Sequence, residues 1–170
     1  MQYLTTYESP IGLLTLASDG ESLIGLWIDG QKYDRNILEK DVEWKSDIQV
    51  FDETRKWLDI YFKGKDPGFV PPLKLHGSEF SQMVSQIMLE IPFGQTTTYG
   101  AIAKEVAERL GCKTMSAQAV GGAVGHNSIA LIVPCHRVIG ANGSLTGYAG
   151  GIDKKIKLLS LEGMNKSRHL

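Results

Sequence analysis

Polar and apolar positions alternate at the start of the chain. Tyr3, Thr5 and Tyr7 alternate first, and Ser9-Pro10-Ile11-Gly12 makes a turn. Leu13 to Ala17 form an apolar run, Asp19-Gly20 turns the chain, and Leu23 to Ile28 return it. Alternation bounded by turn residues marks strands, and Asp-Gly between apolar runs is a hairpin signal. Residues 2–7, 11–18 and 22–28 are therefore expected to form an antiparallel meander. The stretch 31–49 is polar and irregular, with Val42 and Trp44 in a short strand. The period then changes. Val50, Phe51, Trp57, Leu58, Tyr61 and Phe62 recur near helical spacing, and Gly64 stands where a helix stops.

Three of the six prolines fall in 66–75, an extended linker with a short edge strand, and the module boundary is expected at 70–78. Ser78 is placed to cap a helix to about residue 90, with Phe80, Met83, Val84, Ile87, Met88 and Ile91 on its apolar face. Ile91 to Gln95 form a turn. Thr98 or a neighbour caps a second helix, with Ile102, Val106, Leu110 and Ala103 inward and Gly111 as its stop. Ser116 starts a third helix, Ala117 to about Val124. Two helices joined by a short glycine-containing turn suggest a helix-turn-helix. Asp153 is expected to cap a last helix, Lys154 to Glu162, leaving 164–170 as a tail.

The third helix is unusual. Its run from Ala117 through Gly121-Gly122 to Gly125 is built of small residues, and each glycine costs about 1 kcal/mol relative to alanine. Two readings account for this: tight packing on a neighbouring helix, or close approach to a ligand's backbone. With no Lys or Arg on it, reading of bases by charged side chains is not expected.

One stretch carries chemistry. Ile129-Ala130-Leu131-Ile132-Val133 is a buried run that leads into Pro134-Cys135-His136-Arg137. It places a thiol beside an imidazole, the group suited to take the thiol's proton near neutral pH.

Bulk numbers narrow the classes. The chain has 170 residues, 42% hydrophobic and 22% charged, as expected of a globular protein with a usable core. No basic-then-apolar leader and no apolar run of about 18 residues stands out, so a cytoplasmic location without a membrane span is expected. The two cysteines, Cys112 and Cys135, read as reduced, although sequence alone leaves a disulfide between them open. Two cysteines and four scattered histidines show no zinc-ligand spacing, so no metal is expected. Up to position 79 there are nine basic and fourteen acidic residues, net −5; from position 80 there are nine and five, net +4. An acidic half joined to a basic one suggests two modules, with any polyanion facing the second.

These residues resemble the O6-alkylguanine-DNA alkyltransferase family. The resemblance rests on Pro134-Cys135-His136-Arg137-Val138, Tyr99-Gly100-x-Ile102-Ala103, Ala119-Val120-Gly121-Gly122-Ala123 and Asn127. Thr146-Gly147-Tyr148-Ala149-Gly150-Gly151 and the closing Lys155-x-x-Leu158-Leu159-x-x-Glu162-Gly163 complete it, in order over about 78–163. It implies an α/β, ribonuclease-H-like N-terminal module (residues 1–75) of antiparallel sheet plus helix. A mainly helical, winged-helix-like DNA-binding module (residues 76–170) follows.

It also implies direct-reversal DNA repair by a monomer without cofactor or metal. The partner is double-stranded DNA containing O6-alkylguanine, with O4-alkylthymine as a candidate second substrate. The alkyl group passes irreversibly to Cys135, once, from a base flipped out of the duplex. His136 is then general base through a water, Glu162 its orienter, and Asn127 the clamp of the active-site turn. Tyr99 helps rotate the nucleotide, Gln118, Ala119 and Gly122 lie on the helix entering the minor groove, and Tyr148 and Ala149 line the base pocket. Arg137 reads as a structural ion pair.

Two positions depart from the family pattern: Gln118 replaces the usual arginine finger, which implies weaker DNA binding, and Ser85 replaces a common tryptophan. Two rivals remain at this level. A lesion-binding relative would lack the cysteine, and a Cys-His-Glu hydrolase would leave the helix-turn-helix unexplained.

Overall fold

The computed structural model describes residues 1–30, 38, 41–143, 145, 148 and 151–163. Ala149, the 164–170 tail and most of 31–40 lie outside these residues. Strands β1 (Gln2–Ser9), β2 (Gly12–Ser18) and β3 (Leu23–Ile28) form the expected meander. β4 (Val42–Trp44) joins at the far edge, giving the order β3-β2-β1-β4. One expectation is corrected here: the sheet is mixed, because β4 runs parallel to β1 in the register Gln2↔Val42. The chain leaves β3 and crosses to the opposite edge, so its next strand need not reverse as a hairpin strand does.

Helix α1 (Gln49–Tyr61) buries Phe51 and Leu58 with Leu14, Leu16, Leu26 and Ile28 of the sheet. A smaller cluster of Leu4, Ala17, Ile24 and Trp27 lies apart from this core. Gly25 is required there, since a Cβ would come within 2.2 Å of the Trp27 ring.

The second half contains α2 (Glu79–Leu89), β5 (Thr97–Thr98), α3 (Tyr99–Leu110), α4 (Ala117–Gly125), a 3₁₀ turn (Cys135–Arg137), β6 (Val138–Ile139) and α5 (Ile152–Leu161). The capping signals hold at three starts. The hydroxyls of Ser78, Thr98 and Ser116 accept from the backbone N–H of Ser81, Ala101 and Ala119. Gly111 ends α3 in the left-handed region, φ 72°.

The last helix differs from expectation. Gly151 is its N-cap, at φ 102°, and Asp153 lies inside the first turn, where its carboxylate favours the positive end of the helix dipole without capping. β5 and β6 pair in parallel.

The outer edge of β3 joins the two halves. Leu23 N–H donates to Pro72 O (2.7 Å) and Lys74 N–H to Leu23 O (3.0 Å), so the linker supplies the short edge strand. Further along, Leu26 N–H donates to Ser128 O (2.8 Å) and Ala130 N–H to Leu26 O (3.0 Å). Residues of both halves, among them Phe51, Leu58, Met88, Val106 and Val133, belong to one buried cluster. Among the described residues, no helix is long and apolar enough to cross a membrane.

Candidate active site

The apolar run 129–133 is buried as its composition requires. It makes a tight loop closed by Val133 N–H to Ile129 O (3.1 Å), with Leu131 at φ 70°. A leucine in the left-handed region is strained, and such strain persists only where surroundings over-determine it. Asn127 supplies much of that constraint. Its Nδ2 donates to Val133 O (2.8 Å) and Ile129 O (3.3 Å), and its Oδ1 accepts from Ile129 N–H (3.1 Å). β3 holds the same loop from outside.

Cys135 and His136 follow on the 3₁₀ turn, 7% and 0% exposed. His136 Nε2 lies 2.5 Å from Glu162 Oε2, at the end of α5. Glu162 sits at a helix C-terminus, where the dipole disfavours an anion, and donors hold it there. Oε1 accepts from Arg137 Nε (2.8 Å) and Gly94 N–H (3.0 Å), and Oε2 accepts from His136 and from the Tyr61 hydroxyl (2.6 Å). Arg137 also donates to Ile91 O (2.7 Å), the structural role expected of it.

Burial pushes the Glu162 carboxyl up, but the His136 hydrogen bond, the charge His136 takes on in acid and the Arg137 charge outweigh it and hold the group at about 2. Burial pulls His136 below its ordinary value, against the opposing Glu162 hydrogen bond, so the imidazole is neutral. Since the ionised carboxylate can only accept, Nε2 carries the proton. Nδ1 therefore carries the lone pair, and it is buried without a hydrogen-bond partner among the described residues.

Burial raises the Cys135 thiol; the Asn127 side chain, the Lys155 ammonium and the backbone N–H groups of Cys135 and His136 pull it back. Lys155 is fully buried and donates to Val138 O at 2.6 Å; burial lowers it to about 8 against the pull of Cys135. Tyr148 packs edge-on to His136 (6.5 Å), its hydroxyl buried without a partner among the described residues. Burial first, then Cys135, raises Tyr99 and Tyr148, so both stay neutral phenols.

The structure thus brings Cys135, His136, Glu162, Asn127, Tyr148 and Tyr99 together. Gln118, Ala119 and Gly122 form a separate exposed ridge on α4, while Val120 and Val124 face inward. A Cβ at Gly122 or Gly125 would meet nothing within 4 Å, and at Gly121 only the Tyr99 ring at 3.8 Å. Tight helix packing therefore does not explain Gly122 or Gly125. Cys112 is exposed and Cys135 buried, both as free thiols, which closes the disulfide question. Among the described residues, no group of three or more His, Cys, Asp or Glu could hold a metal ion.

Three participants escaped the residue-level reading: Tyr61, the Gly94 N–H and the charge of Lys155. Helical spacing had assigned Tyr61 to a core face, and backbone groups leave no trace in a pattern of side chains.

Fold and site together define a protein with a buried cysteine next to a buried, carboxylate-bonded histidine, set where a sheet module meets a helical module. Residues 2–75 match the ribonuclease-like domain of 6-O-methylguanine DNA methyltransferase, and residues 79–164 match the DNA-binding domain of the same family. The Methylated-DNA--protein-cysteine methyltransferase of Mycobacterium tuberculosis is 44% identical over 162 residues, 95% of this chain and 93% of that one. The protein of the same name from Methanosarcina acetivorans is 44% identical over 161 residues, 95% and 98% of the two chains. The crystal structure of Mycobacterium tuberculosis OGT in complex with DNA superposes with a TM-score of 0.82 at 43% identity, covering 98% of this chain and 94% of that one. The chain belongs to the 6-O-methylguanine DNA methyltransferase family.

Proposed function

We propose that this protein repairs DNA by accepting, once, the alkyl group of an O6-alkylguanine on Cys135. The observation that carries this reading is the buried Cys135 beside a neutral His136 whose Nε2–H is held by Glu162. A thiol of pKa about 8.5 is only a few per cent ionised at neutral pH, so a base is needed.

The thiol proton passes to His136 Nδ1, bridged by a water as in the family. The thiolate Sγ attacks the alkyl carbon, an S–C bond forms, and the C–O6 bond breaks with its electron pair leaving on the guanine oxygen. The purine takes back one proton and becomes guanine. Cys135 remains a thioether, and nothing in the site reverses it. O4-alkylthymine presents the same alkyl carbon on an oxygen leaving group.

At 7% exposure, Cys135 is out of reach of a stacked base, so the nucleotide must be extruded. The exposed small-residue ridge of α4 suits entry into a narrow groove. There Gln118 hydrogen-bonds the orphaned partner base, Tyr99 crowds the phosphate, and Tyr148 lines the base pocket. Residues 1–75 serve as the scaffold and 76–170 as the DNA-binding and transfer module of a monomer working in the cytoplasm.

The test is the mass of the protein after incubation with duplex DNA carrying O6-methylguanine. One added methylene on the Cys135 peptide is expected, stoichiometric with protein and abolished by Cys135→Ser. Repeated turnover, or no adduct, sinks the reading.

A further inference from the structure

Tyr61 closes α1, in the half of the chain to which the transfer chemistry gives no part. It stands 75 positions from His136 and 101 from Glu162, and its side chain is fully buried. Its ring stacks on Trp57 (5.0 Å) and meets Phe62 and Phe93 edge-on (5.4 and 5.9 Å). A phenylalanine would satisfy those neighbours without burying an oxygen, which is costly unless bonded. The hydroxyl is bonded: it donates to Glu162 Oε2 at 2.6 Å, and its oxygen lies 3.2 Å from His136 Nε2. The other carboxylate oxygen has its own pair of donors, Arg137 and Gly94. On Oε2, therefore, Tyr61 is the partner that sets where the oxygen sits relative to the imidazole.

We propose that Tyr61 is a positioning residue for alkyl transfer: its hydroxyl fixes Oε2 so that His136 is held as the Nε2–H tautomer with Nδ1 turned to proton acceptance. The sheet module thereby enters the activation of Cys135. The proposal rests on the reading of Cys135 as alkyl acceptor.

The charged and titratable groups facing this array are Glu162 and Lys155 from α5, Arg137 and Cys135 from the 3₁₀ turn, and Tyr148. Of these, Arg137 and Lys155 disfavour a proton on His136 and Glu162 favours one. Tyr61 draws charge from Oε2. Without its hydroxyl, Glu162 acts more strongly on the imidazole and makes it easier to protonate. The base is then lost at a higher pH, and its orientation is loosened.

The test is the single-turnover rate of methyl transfer from duplex O6-methylguanine to Cys135, measured across pH for wild type, Tyr61→Phe and Trp57→Phe. Tyr61→Phe is expected to slow transfer by about tenfold to a hundredfold, the scale of a misplaced catalytic group, and to move the acid-side midpoint to higher pH. Trp57→Phe disturbs the same stack without touching the hydroxyl and is expected to keep the wild-type midpoint. A folded Tyr61→Phe with wild-type rate and midpoint overturns the proposal, as does an equal midpoint shift in Trp57→Phe. If Tyr61→Phe does not fold, the wild-type protein decides: a Tyr61 hydroxyl proton protected from exchange in the NMR spectrum supports the role, and free exchange with water ends it. A wild-type chain that never methylates Cys135 instead fails the reading of the site itself.

Discussion

Glu162 is the residue on which the site's charges converge, and acid should expose this. Its carboxyl ionises at about 2 when folded against an ordinary 4.5, so its stabilising contribution is complete above 4.5 and is lost as pH falls toward 2. The size is of order 3 kcal/mol. His136 acts in the same direction at milder acidity. Its folded value lies below the ordinary 6.5, so the unfolded chain binds its proton first and stability falls as pH drops below 6.5. Urea titrations between pH 2 and 7 are expected to show both losses, and Glu162→Gln should abolish the lower one.

At neutral pH that variant should lose about 3–5 kcal/mol, because Arg137 is left buried without its counter-charge. Asn127→Ala, which deletes three hydrogen bonds around the strained Leu131, should cost about 2–4 kcal/mol in the same assay. At this scale the sequence was legible where a residue broke a local rule. A carboxylate at a helix C-terminus asks for a partner, and a histidine after a buried cysteine suggests a base. Tyr61 broke no rule, since an aromatic at helical spacing is ordinary core, and its partners lie far away along the chain.

Among elements, α4 makes the sharpest statement. Its caps and bounds were readable from Ser116 and the small-residue run, but the reason for that run was not, because packing and ligand approach prescribe the same composition. The open space beside Gly122 separates them. Gly122→Leu removes a poor helix former, so its melting temperature should equal or exceed that of wild type. The same variant should weaken binding to duplex DNA by roughly tenfold, about 1.4 kcal/mol, if the ridge enters a groove. Gln118→Arg, on the same exposed face, is expected to tighten binding, with a steeper dependence on salt. Fluorescence anisotropy at two salt concentrations checks both, and a Gly122→Leu protein that binds normally would exclude α4 from the interface. The start of α5 departs from the side-chain pattern for a related reason. Asp153 has the side chain of a cap, but Gly151 at φ 102° turns the chain earlier.

For the molecule as a whole, the linker prolines and the charge asymmetry foretold two modules. Little in the side-chain pattern foretold how they dock, because the joint is made largely of backbone hydrogen bonds along β3 and of one shared apolar cluster, with the buried Tyr61–Glu162 hydrogen bond beside them. Such a joint couples their unfolding. All three tryptophans, Trp27, Trp44 and Trp57, lie before the linker, whereas α2 to α5 lie after it. Tryptophan fluorescence and far-ultraviolet circular dichroism should therefore trace one coincident thermal transition; two separated transitions would mean the modules stand independently.

The β3 edge has a further consequence. An open strand edge offers unpaired N–H and C=O groups to any other chain, and here Pro72 to Lys74 and Ser128 to Ala130 occupy it. The loop that aims the thiol thus also shields the sheet from intermolecular strand pairing. Damage to that loop should appear as aggregation on gentle heating, before any change in the strands themselves.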